Sequence, residues 1–175
     1  MNGIEQVTAR PEEPRDVDAV YAVNEVAFER PDEARLVNVL RKEADRIISL
    51  VAELDDQVIG HILFSPVTVE GAKRTPKRMF GLAPMAVLPE FQMQGVGSLL
   101  VRTGLDACRA RGCGAVVVLG HPGYYPRFGF VPASRFGLRC EYPVPDDVFL
   151  ALELMPCALD GCRGLVKYHA AFAAV

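Results

Sequence analysis

PEFQMQGVGSLL, residues 89–100, follows an apolar run that reads as a β-strand and opens a pattern that reads as a helix. Gly95 and Gly97 fall at that strand–loop–helix junction. The first N–H groups of a helix have no intrahelical partner there and the dipole is positive, so a phosphate or pyrophosphate is favoured. Glycine lets such a group reach the backbone, because no Cβ stands in the way. Taken alone, Gly-x-Gly before a helix is more often an ordinary turn. Two named phosphate loops do not fit. The dinucleotide fingerprint needs a small residue three places after the second glycine, where this chain has Leu100. The nucleoside-triphosphate loop needs a lysine, and none follows Gly97.

Upstream of the loop, MFGLAPMAVL (79–88) reads as a strand in which Pro84 removes a ladder donor, so a bulge or splay is expected there. Before it, residues 47–71 read as two strands around a tight turn at Asp55-Asp56, making a three-stranded meander. The basic stretch 71–78 is a polar connection with solvated charges. At the start, Ile4, Val7 and Ala9 alternate as a strand. Pro14 and Asp16 then open a helix with Val17, Val20, Tyr21, Ala27 and Phe28 on one stripe, and a second helix turns Leu36, Val37 and Leu40 inward.

Downstream, Val96, Leu99, Leu100 and Ala107 recur at helical offsets, Arg102 and Arg109 share the wet face, and Gly112 stops the helix. GAVVVLG (114–120) suits a strand buried on both faces. A turn-rich segment, HPGYYPRFGFVPAS (121–134), precedes more strand near residues 149–155. With no repeat or linker, residues 1–175 are expected to form a single α+β domain.

Bulk properties narrow the class. The chain has 175 residues, half of them hydrophobic, and a net charge of −3 with pI near 5.6. That is large enough for a sizeable core and argues against a nucleic-acid partner. No apolar run is long enough for a membrane span and no secretory signal is visible, so a cytosolic location is expected. The five cysteines (Cys108, Cys113, Cys140, Cys157 and Cys162) contain no C-x-x-C pair, so free thiols and no metal are expected.

In three places, in order, the chain resembles the Gcn5-related N-acetyltransferases (GNAT). Gln92, Gly95 and Gly97 meet the family's Gln/Arg-x-x-Gly-x-Gly/Ala, Val87-Leu88-Pro89 its Val-x-Pro preface, and Tyr125, Gly129 and Phe130 its Tyr-x-x-x-Gly-Phe tail. YYPRFGF (124–130) and GLVKYHAAF (164–172) look like one bacterial branch of predicted N-acetyltransferases. The resemblance implies a mixed, mostly antiparallel central sheet with a splayed middle strand, flanked by about four helices. It implies acetyl-coenzyme A as co-substrate. The pyrophosphate would lie on the N–H groups of Met93, Gln94, Gly95, Val96, Gly97 and Ser98, with Gln92 shaping the loop. The pantetheine arm would pair like an added strand with Met85, Ala86 and Val87.

The resemblance also places Tyr125 where a hydroxyl can donate to the departing thiolate, whose intrinsic pKa is ~8.5. The Met85 N–H would donate to the oxyanion. The alternative for Tyr125 is a ring packed beneath a turn. Two family features are absent: AVVVL (115–119) has no Glu, and no Asn precedes the tyrosines. A general base is therefore unassigned. Candidates are Glu25, Glu29, Glu33 and His121, each with a surface or turn role as its alternative. Cys108 and Cys113 have no histidine beside them in sequence, so direct transfer is expected rather than an acetyl-cysteine. Arg127 fits a coenzyme phosphate or a turn cap equally well. The resemblance implies that the acceptor is a primary amine of a small molecule or peptide. The competing reading is an acyl-coenzyme A-binding regulatory module, and the oligomeric state is open, a homodimer included.

Overall fold

The computed structural model describes residues 6–175. In chain order its elements are β1 (Thr8–Pro11), α1 (Val17–Phe28), α2 (Asp32–Glu43), β2 (Ile48–Leu54), β3 (Gln57–Pro66), β4 (Thr68–Glu70), β5 (Met79–Val87), α3 (Val96–Ala110), β6 (Ala115–Leu119), β7 (Val131–Pro132), β8 (Leu138–Cys140), β9 (Phe149–Glu153) and β10 (Gly164–Lys167). The Ile4 end of the expected first strand lies outside the described residues. Two compact units emerge. One holds the chain up to Phe64 with Pro84–Gly104 and Ala170–Val175; the other holds Ser65–Ala83 and Leu105–His169.

In the first unit β1, β2, β3 and the end of β5 are neighbours in that order. β1 and β3 both pair antiparallel with β2. The turn from β2 to β3 takes Asp55 and Asp56 to φ 47° and 63°. Two consecutive positive angles are what a tight hairpin turn needs, and aspartate tolerates them better than most residues. Against this sheet, Val20 and Val23 of α1 and Leu36, Val37 and Leu40 of α2 form one core with Val51, Leu63 and Ala86. Of the stripe expected in α1, Val20 lies in this core and Ala27 and Phe28 pack against it, while Val23 is added to it. α3 approaches β3 closely at two glycines. A Cβ on Gly60 would stand 3.1 Å from Leu100 Cδ1, and one on Gly104 would stand 2.3 Å from Phe64 Cε2.

The second unit carries the start of β5, then β6, β9 and β7. The β5–β6 pair is parallel, whereas β6–β9 and β7–β9 are antiparallel. A separate three-stranded sheet, β4-β10-β8, packs beside them. Here the meander departs from expectation. Pro66 ends β3, and β4 pairs antiparallel with β10 instead of extending the hairpin. A proline cannot donate to a continuing ladder, so the strand breaks there and its continuation is free to change sheets. The sheet is mostly antiparallel, flanked by three α-helices and short 3-10 turns among the described residues. In the first unit, Ala170–Ala174 forms a 3-10 turn.

Candidate functional site

The ladder between β5 and β6 covers Met79↔Ala115, Phe80↔Val116 and Gly81↔Val117 and ends there, three residues before Pro84. On its other edge, Met79 O accepts from Val67 N and Leu88 N donates to Ile59 O, at 3.0 and 2.9 Å. Residues nine apart in a regular strand point to opposite edges. β5 therefore carries a one-residue irregularity along the stretch that contains Pro84. Counted back from Leu88, Ala86 turns its backbone groups toward β3, while Met85 and Val87 turn theirs to the other edge. Gln92 Nε2 donates to Val87 O at 2.9 Å on that edge.

Beyond β5 the chain makes a 3-10 turn at Pro89–Phe91, which Gln94 Nε2 ties down by donating to Glu90 O at 2.7 Å. Met93 and Gly95 both have positive φ, 59° and 89°, and Met93 is fully exposed. Leu99 N donates to Gly95 O at 2.9 Å, so Gly95 is the N-cap of α3. Val96 and Gly97 then start the helix with no acceptor four residues back inside it. No lysine or arginine lies in residues 89–101. Any anion attraction of this loop itself therefore rests on backbone N–H groups and the helix dipole.

In the second unit Tyr125 opens the 3-10 turn Tyr125–Phe128 and is buried. Its ring meets Tyr124 edge-on at 5.1 Å and Phe130 at 5.7 Å between centroids. Burial, with Tyr124 alongside, raises the phenol pKa above its ordinary value, so the hydroxyl stays protonated and is a donor. Arg127 caps the turn, with Nε donating to Tyr124 O at 2.9 Å and the guanidinium 4.6 Å from the Tyr124 ring. His121 Nδ1 accepts from Gly123 N at 3.0 Å, a turn contact.

Among the other candidate bases, Glu25 and Glu29 are exposed, Glu29 ending α1 at φ 55°. Glu33 is buried, not solvated, because Arg30 donates to it through Nε at 3.0 Å and through Nη2. Cys108 and Cys113 come together as a helix-ending pair: Cys113 N donates to Cys108 O at 3.0 Å, and Gly112 between them has φ 71°. Their thiols hydrogen-bond, which raises the pKa of Cys108 and lowers that of Cys113, and both are fully buried. Among the described residues no cluster of metal-ligating side chains forms, and no helix is long and apolar enough to cross a membrane.

One constellation has little sequence signal beyond a histidine in an apolar run. Asn24 Nδ2 donates to Val20 O at 2.9 Å and lies 3.0 Å from His61 Nδ1. A carbonyl only accepts, so the amide orientation is set. His61 Nε2 lies 2.9 Å from Ser49 Oγ, whose hydroxyl donates to Glu12 Oε2. Arg41 Nη2 donates to Glu12 Oε1 at 2.5 Å. The imidazole is therefore neutral, with its proton on Nε2. Nearby, Arg10 donates to Asp16 Oδ2 at 2.7 Å and to Glu53 Oε2 at 2.5 Å, tying β1 and β2 to the start of α1.

The chain is similar to known proteins over most of its length. The Acetyltransferase (GNAT) family matches residues 15–130. The uncharacterized N-acetyltransferase YhbS of Escherichia coli K12 is 41% identical over 164 residues, 93% of this chain and 96% of the relative. The crystal structure of E. coli YhbS in complex with CoA superposes with a TM-score of 0.88 at 39% identity, covering 96% of this chain and 92% of that one. A GNAT family acetyltransferase from Brucella melitensis, in complex with acetyl-CoA, gives 0.76 at 39% identity over 95% and 97%.

Proposed function

The chain belongs to the Acetyltransferase (GNAT) family, and on that premise we propose that it moves an acetyl group from acetyl-coenzyme A to a primary amine by direct attack. The observation that carries the reading is the loop into α3. Gly95 caps the helix at φ 89° and Gln92 braces the loop on Val87 O, giving a backbone cradle of the kind a pyrophosphate needs. The coenzyme-bound relatives support the same ligand. Bound acetyl-coenzyme A supplies a thioester, reactive toward a neutral amine.

The chain's own groups then have defined tasks. N–H groups from Met93 through Ser98 hold the pyrophosphate. Met85 and Val87, whose backbone groups face away from β3, pair with the pantetheine arm, and Ala86 keeps the strand on its neighbour. The Met85 N–H donates to the thioester oxygen as negative charge grows on it. The Tyr125 O–H donates to the departing sulfur, a task that suits a phenol held protonated by burial. Amine deprotonation is assigned to no side chain: Glu33 is engaged by Arg30 and His121 by its own turn.

The test is coenzyme A release from acetyl-coenzyme A across polyamines, aminoglycosides, amino acids and peptide N-termini. Release that rises with one amine class supports transfer. Release that stays at the hydrolytic rate with every amine overturns it. Intact coenzyme binding with slow turnover unchanged by Tyr125→Phe would instead indicate a binding module.

A further inference from the structure

Gly120, the residue after β6, has no unusual backbone angle that would call for glycine, yet a side chain there has no room. An added Cβ would stand 2.1 Å from Tyr125 Cε2, 2.4 Å from Cδ2 and 3.2 Å from Cζ. The phenol ring therefore rests on the Gly120 backbone. Neither partner can step back freely. Gly120 N donates to Val148 O at 2.9 Å, and the adjoining Leu119 is paired with Phe149. On the other side Tyr124 N donates to His121 O at 3.0 Å, fixing the turn that carries Tyr125. Tyr124, Phe128 and Phe130 wall the ring at centroid distances of 5.1, 6.5 and 5.7 Å.

We propose that Gly120 is the positioning residue for Tyr125: the space left by its missing side chain sets where the phenol hydroxyl stands during acetyl transfer. The inference rests on the assignment of Tyr125 as the donor to the departing sulfur. Relieving a 2.1 Å contact to ordinary van der Waals separation moves the ring edge by about 1.3 Å or more. The hydroxyl, at the far end of the same ring, moves with it. A displacement of about 1 Å in a reacting geometry lowers rate by up to ~100-fold.

The experiment measures Gly120→Ala, Tyr125→Phe and the double variant with acetyl-coenzyme A and the amine that gives the fastest release in the panel above. Thermal unfolding and the coenzyme A dissociation constant are recorded alongside. Gly120→Ala is expected to lower kcat about tenfold or more with coenzyme affinity within about twofold of the parent. In the Tyr125→Phe background the same substitution should lower thermal stability equally, because the ring is still there, yet change kcat less than about twofold. A purely structural glycine would lower kcat alike in both backgrounds, and that additive result overturns the proposal. Parental kcat in Gly120→Ala also overturns it. Parental kcat in Tyr125→Phe overturns the donor assignment itself, and the proposal with it.

Should Gly120→Ala alone not fold, Phe130→Leu thins the aromatic wall and gives the displaced ring room. Gly120→Ala/Phe130→Leu must then lose kcat relative to Phe130→Leu when Tyr125 is present and not when it is Phe.

Discussion

Lowering pH from about 8 to about 5 should cost the first unit about 2 kcal/mol of stability through His61 alone. His61 is fully buried, and burial, with Arg41 adding to it, pushes its pKa from 6.5 down to about 3. Glu12 Oε2, 3.9 Å from Nε2, opposes this shift, but its charge is already met by Arg41. Protonation would also set a new Nδ1–H against the Asn24 amide, a donor that Val20 O keeps facing it. Because the folded pKa is depressed, the unfolded chain binds the proton first as pH falls. Stability is complete above about 6.5 and drains as pH falls toward 3, at about 1.4 kcal/mol per unit once well below 6.5. The figure at pH 5 hardly depends on where below about 4 the folded value lies. Asp16, held below its ordinary value chiefly by Arg10, adds its loss only in the more acid carboxylate range. Urea unfolding followed by circular dichroism at several pH values measures the slope, with His61→Gln as the control. The variant is less stable throughout, but its curve should be flatter between pH 8 and 5. Equal slopes in parent and variant would refute the buried neutral imidazole.

Three further outcomes follow from named contacts. Burial keeps Tyr125 protonated, so kcat should not fall between about pH 8 and pH 10 from loss of its proton; a decline centred near ~10 that disappears in Tyr125→Phe would contradict this. Gly95→Ala places a Cβ at φ 89° on the N-cap of α3, costing about 1 kcal/mol in unfolding experiments. It should also weaken coenzyme A binding several-fold by calorimetry, and unchanged affinity would count against the cradle. Gly104→Ala drives a methyl to 2.3 Å from the fully buried Phe64 ring and should destabilise by about 1–3 kcal/mol in urea, with coenzyme affinity retained.

The loop into α3 was legible because it is a local, backbone affair. Gln92, Gly95 and Gly97 are consecutive enough that their spacing alone sets a capped helix N-terminus, and Pro84 announces an irregular strand wherever it is placed. Hydrophobic periodicity likewise placed α1, α2, α3 and the β2–β3 hairpin, since the period of a stripe follows from backbone geometry alone. What periodicity does not carry is the direction of a polar side chain through space. Glu33 reads as a surface carboxylate on a helix, yet its register turns it inward and Arg30 follows it. The departure of β4 to a second sheet depended on a partner, β10, about a hundred residues away.

The same division explains the two features that most shape this protein's behaviour. By itself the sequence carried the Gln92, Gly95 and Gly97 spacing and hence the family resemblance that implies acetyl-coenzyme A, because the residues of such a loop are neighbours along the chain. Only the tertiary structure decided that His61 is a neutral link between Asn24 and Ser49, because that chain is assembled from α1, β3 and β2 and then passes through Glu12 to α2. Only the tertiary structure, too, showed Gly120 as the space a phenol occupies. Ring placement is set by the turn, the neighbouring strand and the aromatic wall acting together, and no spacing along the chain encodes that sum.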